Sequence, residues 1–408
     1  MKTNAAQAMS AINDPAGMTP TERRASTALA SIYALRMLGL FLILPVFAVY
    51  AHSLPGGASP AMVGLAIGIY GLTQAALQIA FGRASDHYGR KPVIVAGLAL
   101  FALGSFVAAL AHSIELIIVG RAIQGAGAIS AAITALIADA TRDQQRSKAM
   151  AMVGASIGVT FAASMVIAPL LYGAIGMPGI FALTGALAIA AIGVVQFVVP
   201  DVPQPALGQR VPFSQVLADR QLLRLDFGIF ALHVAQSAMF VVVPVLLVDV
   251  AGVPVTEHWK LYLPAVSVAF VLMVPAIIKA ERGGQMRAVF VGAIALMALL
   301  EAVSSQFASG ALPVNFTTML GLLTVFFIAF NVLEALLPSL VSKIAPPAAK
   351  GTALGVYNTV QSLGVSAGGS LGGWIATHFG RAAVFEACAG LMVLWAIAAF
   401  GMRVPVRR

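Results

Sequence analysis

The chain has 408 residues, of which 60% are hydrophobic and 10% are charged, and its mean hydropathy is +0.94. A soluble protein of this size needs more surface charge, so the composition excludes that class and indicates a polytopic membrane protein. The net charge of +9 comes from bases in short loops between apolar runs, which membrane topology explains better than nucleic-acid binding does. The single cysteine, Cys388, predicts neither an intrachain disulfide nor a cysteine-ligated metal site.

Runs of about 20 apolar residues predict membrane-spanning helices. Twelve such runs follow one another, near 28–50, 60–82, 92–111, 115–138, 148–171, 178–199, 227–248, 260–279, 288–307, 313–340, 352–376 and 382–402. The predicted fold class is therefore an all-α membrane protein with twelve transmembrane helices. Residues 1–25 are polar and lack the apolar core of a signal peptide, so we expect the first span to be an uncleaved anchor.

The distribution of bases predicts the orientation. Loops on the starting side hold 20 of the 24 Lys and Arg residues, whereas the opposite loops hold Lys260 and Arg381. An excess of Lys and Arg marks the cytoplasmic side. We therefore expect a cytoplasmic N-terminal segment at 1–25, a cytoplasmic tail at 403–408, and a multi-pass protein with both termini inside.

A change of composition in the middle of the chain predicts two halves. Residues 200–226 are rich in proline and mixed charge, which is typical of a linker. This cytoplasmic linker would separate a six-helix half at 26–199 from a second half at 227–402. Residues 213–223 within the linker predict a short amphipathic helix along the membrane face.

The two halves also repeat one pattern. Glu281-x-x-Gly284 follows the eighth span as Asp86-x-x-Gly89 follows the second, although Gln285 and Met286 replace the two bases that come next in the first half. Repeats of this kind place a substrate site near the membrane midplane, between the halves.

A charged turn at 82–94, with the sequence GRASDHYGRKPVI, separates the second and third spans. Its pattern consists of Gly82, Asp86, Gly89, Arg90 and Lys91. An acid, two glycines and two bases at fixed spacing between two spans make a specific motif. The alternative interpretation is an ordinary basic turn on the cytoplasmic side.

This motif resembles the signature loop of the major facilitator superfamily. Arg121-x-x-Gln124-Gly125-x-Gly127 is similar to the family's fourth-helix motif. The order of segments resembles the bacterial YajR-like branch of proton-coupled drug-efflux transporters. The resemblance implies the major facilitator fold, with two pseudo-symmetric six-helix halves, and a location in the bacterial inner (plasma) membrane.

The sequence departs from the family's pattern at two points. The antiporter motif expected on the fifth helix is reduced to Ala168-Pro169 with a single Gly173. YajR-like proteins carry a small soluble domain after the last helix, and we expect this domain to be absent because the sequence stops at Arg408.

The resemblance also implies a conformational latch formed by the charged turn. In the family, the aspartate at the position of Asp86 meets the start of the eleventh helix, here Gly351 and Thr352, while the cavity faces outward. A carboxylate is stabilised at such a helix N-terminus. Arg90 would hold Asp139, at the end of the fourth helix. The alternative is a solvated surface ion pair.

Titratable and charged groups are rare inside the spans, where a charge costs several kcal/mol unless it is paired or hydrated. The candidates for proton coupling are Glu334, Arg36, His233 and Arg121. Arg121 is alternatively a structural arginine, and His233 a packed histidine. Glu301 lies near the predicted outer interface, so we interpret it as an ordinary acid that reaches the membrane surface.

Polar side chains recur three or four residues apart on several spans, so that each set shares one helix face. Such stripes fit the wall of a water-accessible cavity. The predicted substrate-binding residues are Gln236, Asn331, Asn358, Gln361, Gln124, Tyr70 and Gln74.

The sequence predicts a secondary active transporter, in which proton-coupled antiport exports amphiphilic organic molecules or drugs by alternating access. Alternatives are a proton-driven importer or exchanger of a small polar metabolite and a transporter-like membrane sensor. A nucleotide-binding loop and a catalytic or metal-ligand motif are not apparent, so we expect neither an enzyme nor a cofactor. The expected partners are a small-molecule substrate, protons and the lipid bilayer, without nucleic acid, and the expected state is a monomer.

Overall fold

The structure is a computed structural model that describes residues 17–202, 213–346 and 349–402. Residues 1–16, 203–212 and 403–408, which belong to the predicted terminal segments and linker, lie outside these ranges. The first seven helices are α1 (Pro20–Phe41), α2 (Leu44–Ala51), α3 (Pro60–Tyr88), α4 (Arg90–Ala109), α5 (Ile114–Ala126), α6 (Ser130–Ala140) and α7 (Asp143–Phe197). The next seven are α8 (Phe213–Ala218), α9 (Arg220–Asp249), α10 (Trp259–Glu281), α11 (Met286–Ala308), α12 (Phe316–Ile344), α13 (Lys350–Phe379) and α14 (Arg381–Phe400).

Ten segments in the described part of the chain are long and apolar enough to cross a membrane. One of them, Gln144–Phe197, has 54 residues. At 1.5 Å per residue it is about 80 Å long, against about 30 Å for the hydrocarbon core. Gly176 breaks it with a non-helical backbone (φ 64°, ψ −179°), so α7 crosses twice. Helix α13, with 30 residues rich in glycine and hydroxyl groups, supplies the twelfth crossing.

Two predicted spans are interrupted rather than continuous. The first consists of α1 and α2, separated at residues 42–43 just before Pro45, which lacks the N–H group that a helix interior needs. The fourth consists of α5 and α6, separated at 127–129. A Cβ at Gly127 would lie 2.3 Å from the carbonyl oxygen of Gly97, so only glycine permits this close crossing with α4.

Glycines also pack α3 directly against α13. A Cβ at Gly64 would lie 2.2 Å from the carbonyl oxygen of Gly369, and one at Gly71 would lie 2.4 Å from that of Ser362. The start of α3 therefore meets the end of α13, backbone to backbone. Lipid gives little hydrophobic drive to helix association, so such small-residue contacts are what hold two helices together.

The opposite end of α13 lacks this close packing at its glycines. A Cβ at Gly351 or Gly355 would meet no atom within 4 Å. Along the same helix, a Cβ at Gly364, Gly368, Gly369, Gly372 or Gly373 would lie within about 3 Å of a neighbouring helix. Close contact between α3 and α13 is thus a property of one membrane face.

We expect Gly68→Ala to destabilise the close contact between the start of α3 and the end of α13 by about 1–3 kcal/mol. The added Cβ would lie 2.5 Å from the carbonyl oxygen of Ser366, so α3 and α13 must separate. Double electron–electron resonance between spin labels at the exposed positions 58 and 379, in a Cys388→Ala background, should then show a longer distance.

The matched control is Gly355→Ala, which adds the same methyl group to a helix where nothing lies within 4 Å. Its label distance should equal that of the parent. Equal distances for both glycine variants would show that the α3–α13 contact does not set the conformation.

Candidate functional site

The charged turn forms an ion-pair cluster inside the first half. Gly89 has φ +100°, which only glycine adopts readily, and it separates α3 from α4. Arg90 opens α4, and its Nε donates to Oδ2 of Asp139 on α6 at 2.9 Å. The same guanidinium bonds Asp86 on α3 and, at 2.9 Å, Oγ of Ser85. The structure thus contains the predicted Arg90–Asp139 pair, with both side chains almost buried.

The structure pairs Asp86 with Arg90. A Cβ at Gly351, where the latch contact is predicted, would meet no atom within 4 Å. That contact stays a prediction for another conformation. Lys91 bonds Oδ1 of the exposed Asp201 at 2.6 Å, and a Cβ at Gly82 would contact Ala131 at 3.5 Å.

The second half has its own version of this cluster, which the sequence analysis missed. Glu281, at the end of α10, accepts a bond from Oγ of Ser339 at 2.7 Å and pairs with Lys343, both near the end of α12. The repeated Glu-x-x-Gly pattern indicated the acid. The base comes from a different helix, so the spacing along the chain could not indicate it.

Three helices of the second half bring polar side chains together in the membrane interior. Nε2 of Gln361 on α13 lies 2.9 Å from Nε2 of His233 on α9 and 3.3 Å from Oε1 of Glu334 on α12. Nδ1 of His233 lies 3.2 Å from the carbonyl oxygen of Ile229. Because Nδ1 faces an acceptor and Nε2 faces an amide donor, the pattern fits a neutral imidazole protonated on Nδ1.

Several groups around this cluster have unused hydrogen-bonding capacity. Oε2 of Glu334, Nδ2 of Asn331 and the hydroxyl of Tyr357 are buried atoms without a hydrogen-bond partner in the described structure. Asp226 on α9, 6% exposed, also has an unpartnered Oδ2. Such groups are rarely left unsatisfied in proteins, so they mark positions for water or a ligand. The sequence pattern gave no sign of Tyr357, and it placed Asp226 in the predicted linker at 200–226.

Four aromatic rings lie beside the cluster and connect the halves. The Phe161 ring on α7 lies 5.1 Å from that of Phe41 on α1, and 5.8 Å from those of Phe327 and Phe330 on α12. The Phe330 ring is 5.9 Å from the His233 imidazole. A polar cluster against an aromatic wall is the composition of a pocket for organic molecules.

The remaining predicted substrate-binding amides are buried or half-buried. Gln236 on α9 is 3% exposed and Gln74 on α3 is 6% exposed. Asn358 lies on α13, half-buried, three residues before Gln361. The three-residue spacing puts Asn358 on the same helix face as Gln361.

Arg36, a candidate for proton coupling, lies on α1 in the first half. It is 1% exposed, and its guanidinium donates to Oγ of Ser130 at 2.8 Å. Nε and one terminal nitrogen have no partner in the described structure. Within the described residues there is no hydrogen bond or ion pair between Arg36 and Glu334.

Arg121 belongs to a hydrogen-bond network between helices of the first half, although one of its terminal nitrogens has no hydrogen-bond partner in the described structure. It donates to Oε1 of Gln124 at 2.8 Å, and the Gln124 amide donates to Oγ of Ser105 at 2.7 Å. The guanidinium carbon lies 4.7 Å from the centre of the Tyr70 ring, a cation–π contact. Arg121 and Gln124 are fully buried, and both ends of the Gln124 amide are occupied by protein groups. This geometry fits the alternative of a structural arginine.

Our interpretation of Glu301 was wrong. This acid is 1% exposed, and both of its carboxylate oxygens lack a hydrogen-bond partner in the described structure. It lies on the buried face of α11 with Ile294, Met297 and Ser304. That three- and four-residue spacing is the signal that should have placed it inside the protein.

Comparisons with known proteins agree with this architecture. Residues 29–300 match the family model described as Major Facilitator Superfamily. The chain is 48% identical to the inner membrane transport protein YajR of Escherichia coli, over 95% of this chain and 85% of that protein. It is 26% identical to the multidrug resistance protein MdtH of Aeromonas hydrophila, over 82% of each.

Among solved structures, a bacterial homologue of the human lysosomal transporter Spinster superposes with a TM-score of 0.75. That alignment covers 94% of this chain and 97% of the other, at 16% identity. The human organic anion transporter MFSD10 gives a TM-score of 0.67 at 21% identity, over 93% of this chain and all of that one. With its matching family model, its YajR relative and its twelve crossings, the chain belongs to the major facilitator superfamily and is a membrane-spanning transporter.

Proposed function

We propose that this transporter is proton-coupled and exports amphiphilic organic molecules by alternating access. The observation that carries the proposal is the meeting of His233, Gln361 and Glu334 in the membrane interior. Two titratable groups bridged by one amide, beside an aromatic wall, combine a proton site with a substrate site. The multidrug resistance name of the MdtH relative agrees with this class of substrate.

The difference between the two ends of α13 supports alternating access. The C-terminal end of α13 is packed against α3 through Gly64, Gly68 and Gly373. At its N-terminal end, a Cβ at Gly351 would meet no atom within 4 Å. The distribution of Lys and Arg assigns the closed end to the outside. On this proposal the structure is the state open to the cytoplasm, in which an exporter takes up its substrate.

The wall of the cluster supports an amphiphilic substrate. The rings of Phe161, Phe327 and Phe330 provide apolar area, and Asn331 and Tyr357 provide unsatisfied polar groups. Pockets for organic molecules are mostly apolar with a few placed polar groups. Aromatic faces also attract organic cations.

The hydrogen bonds of Gln361 suggest how a proton is coupled to substrate. Its amide nitrogen lies close to both His233 Nε2 and Glu334 Oε1, so it donates to both. A proton on His233 Nε2 would place two donors face to face, so the amide would have to rotate. The imidazolium would then have Oε2 of Glu334, 3.9 Å away, as its counter-ion. Protonation therefore reorganises the side chains that line the pocket.

We expect Glu334→Gln to retain substrate exchange but to lose at least tenfold of the accumulation driven by a pH gradient. The glutamine keeps the shape of the acid and cannot take up the coupled proton. The measurement is transport in proteoliposomes, with and without an imposed pH gradient.

Glu301→Gln is the matched control for this variant. It makes the same chemical change at a buried acid that lies on α11, outside the cluster. Its pH-driven accumulation should equal that of the parent. Full pH-driven accumulation by Glu334→Gln would exclude Glu334 as the coupling site and make His233 the next residue to test.

Single cysteines at Asn331, Asn358, Gln361 and Gln236 should react with a water-soluble thiol reagent in a Cys388→Ala background. These side chains line one cavity on our proposal, so substrate should slow the reaction several-fold. A cysteine at Gln124, which is fully buried in the first half, is the unreactive control. If all four positions are as unreactive as the control in every trapped state, the polar stripes are packing contacts.

Arg90→Ala should lower the free energy of unfolding by about 3 kcal/mol, because two nearly buried carboxylates lose their shared cation. The loss should not add to that of Asp139→Asn, with a coupling of about 1–3 kcal/mol. Thermal unfolding of the purified single and double variants measures the coupling.

Lys260→Ala provides the reference for an exposed ion pair. Lys260 pairs with Glu257 at 2.9 Å, and about half of each side chain is exposed. Its removal should change stability by less than about 1 kcal/mol. Fully additive losses for Arg90→Ala and Asp139→Asn would separate them into independent sites.

A further inference from the structure

A groove of about 500 Å³ lies between the start of α11 and the end of α14, outside the central cluster. It opens at the membrane face that carries most of the bases of the chain. Its lining combines one base, an exposed aromatic ring and small apolar side chains. The lining residues are Gly284, Gln285, Arg287, Ala288, Val291 and Phe400.

Two guanidinium groups donate to successive carbonyl oxygens at the end of α14. Arg287 donates to the carbonyl oxygen of Phe400, and Arg224 donates to that of Gly401. A Cβ at Gly401 would lie 2.7 Å from the Arg224 guanidinium, so that group is held close to the helix end. Each guanidinium has five N–H donors, and the one bond described for each leaves donors for an anion.

The acid of this turn is bonded to α12. Glu281 is engaged by Ser339 and Lys343 of α12. Lys279 and Arg282 are exposed in the same turn and add to the positive charge. The rim of the groove is therefore cationic, with its local carboxylate already paired elsewhere.

An apolar surface continues from this cationic rim. Phe400 is 60% exposed and Val291 lines the groove below Arg287. The chain's own tail is a poor occupant, because Arg403, Arg407 and Arg408 follow the groove in sequence and carry the same charge as its rim.

We propose that this groove binds an anionic phospholipid, with the phosphate at Arg287 and Arg224 and an acyl chain along Val291 and Phe400. Basic pockets between transmembrane helices recognise anionic lipid headgroups in this way, since the guanidinium provides both charge and paired donors. None of the residues that line the groove belongs to the His233 cluster.

Native mass spectrometry of the purified protein with phosphatidylglycerol or phosphatidylethanolamine tests this site. The parent should bind phosphatidylglycerol about fivefold more tightly, and Arg287→Gln should lose that preference. Val291→Trp, which fills the groove without changing charge, should lose it as well. Lys260→Gln, which removes a base at the opposite membrane face, should bind like the parent.

Equal binding of the two lipids by the parent would overturn the proposal, as would a retained preference in both groove variants. Displacement of phosphatidylglycerol by millimolar inorganic phosphate would also overturn it, because the site would then recognise a free anion. Transport by the groove variants is measured separately in proteoliposomes. Loss of lipid preference with normal transport supports the lipid site alone, and lost transport with intact lipid binding concerns the cavity alone.

Discussion

Direct backbone contact between α3 and α13 constrains the arrangement of the whole molecule. Gly64, Gly68 and Gly71 on α3 leave no room for a Cβ against α13, and Gly364 and Gly368 leave none between α13 and α9. Helix α13 is therefore held on two faces by glycine contacts, and its rotation about its own axis is fixed. In lipid, where apolar side chains gain little by association, this close approach supplies the packing energy.

The polar site follows from that constraint. A Cβ at Gly364 would lie 3.1 Å from the Cβ of His233, so the same close contact that joins α13 to α9 brings Gln361 within bonding distance of the imidazole. In the first half, Arg121 and Gln124 bond each other. In the second half, Glu334 and Asn331 surround the His233–Gln361 contact and retain unsatisfied atoms. These are the groups that can respond to a ligand beside the aromatic wall.

Much of the fold could be predicted from the sequence, because apolar length and charge sidedness are local properties of the chain. The turn at Gly89 and the pairing of Arg90 with Asp139 could be predicted from the motif. The partners of Asp86 and Glu281 could not, since each depends on which helix ends meet in one conformation. The Phe161 contacts likewise join residues far apart in sequence, and an apolar run gives no sign of which ring meets which. We predicted that Glu301 reaches the membrane surface because we considered its depth along the span. Its spacing from Ile294 and Met297 would have placed it on the buried face of α11.

Proton-coupled export can be measured as transport in proteoliposomes with an imposed pH gradient. We expect at least one compound in a panel of lipophilic cations and neutral amphiphiles to be moved against its own gradient, and only when the pH gradient is present. Correct insertion is verified by thiol labelling of an introduced surface cysteine. If correctly inserted protein moves every compound at the same rate with and without the pH gradient, the transporter is not proton-coupled.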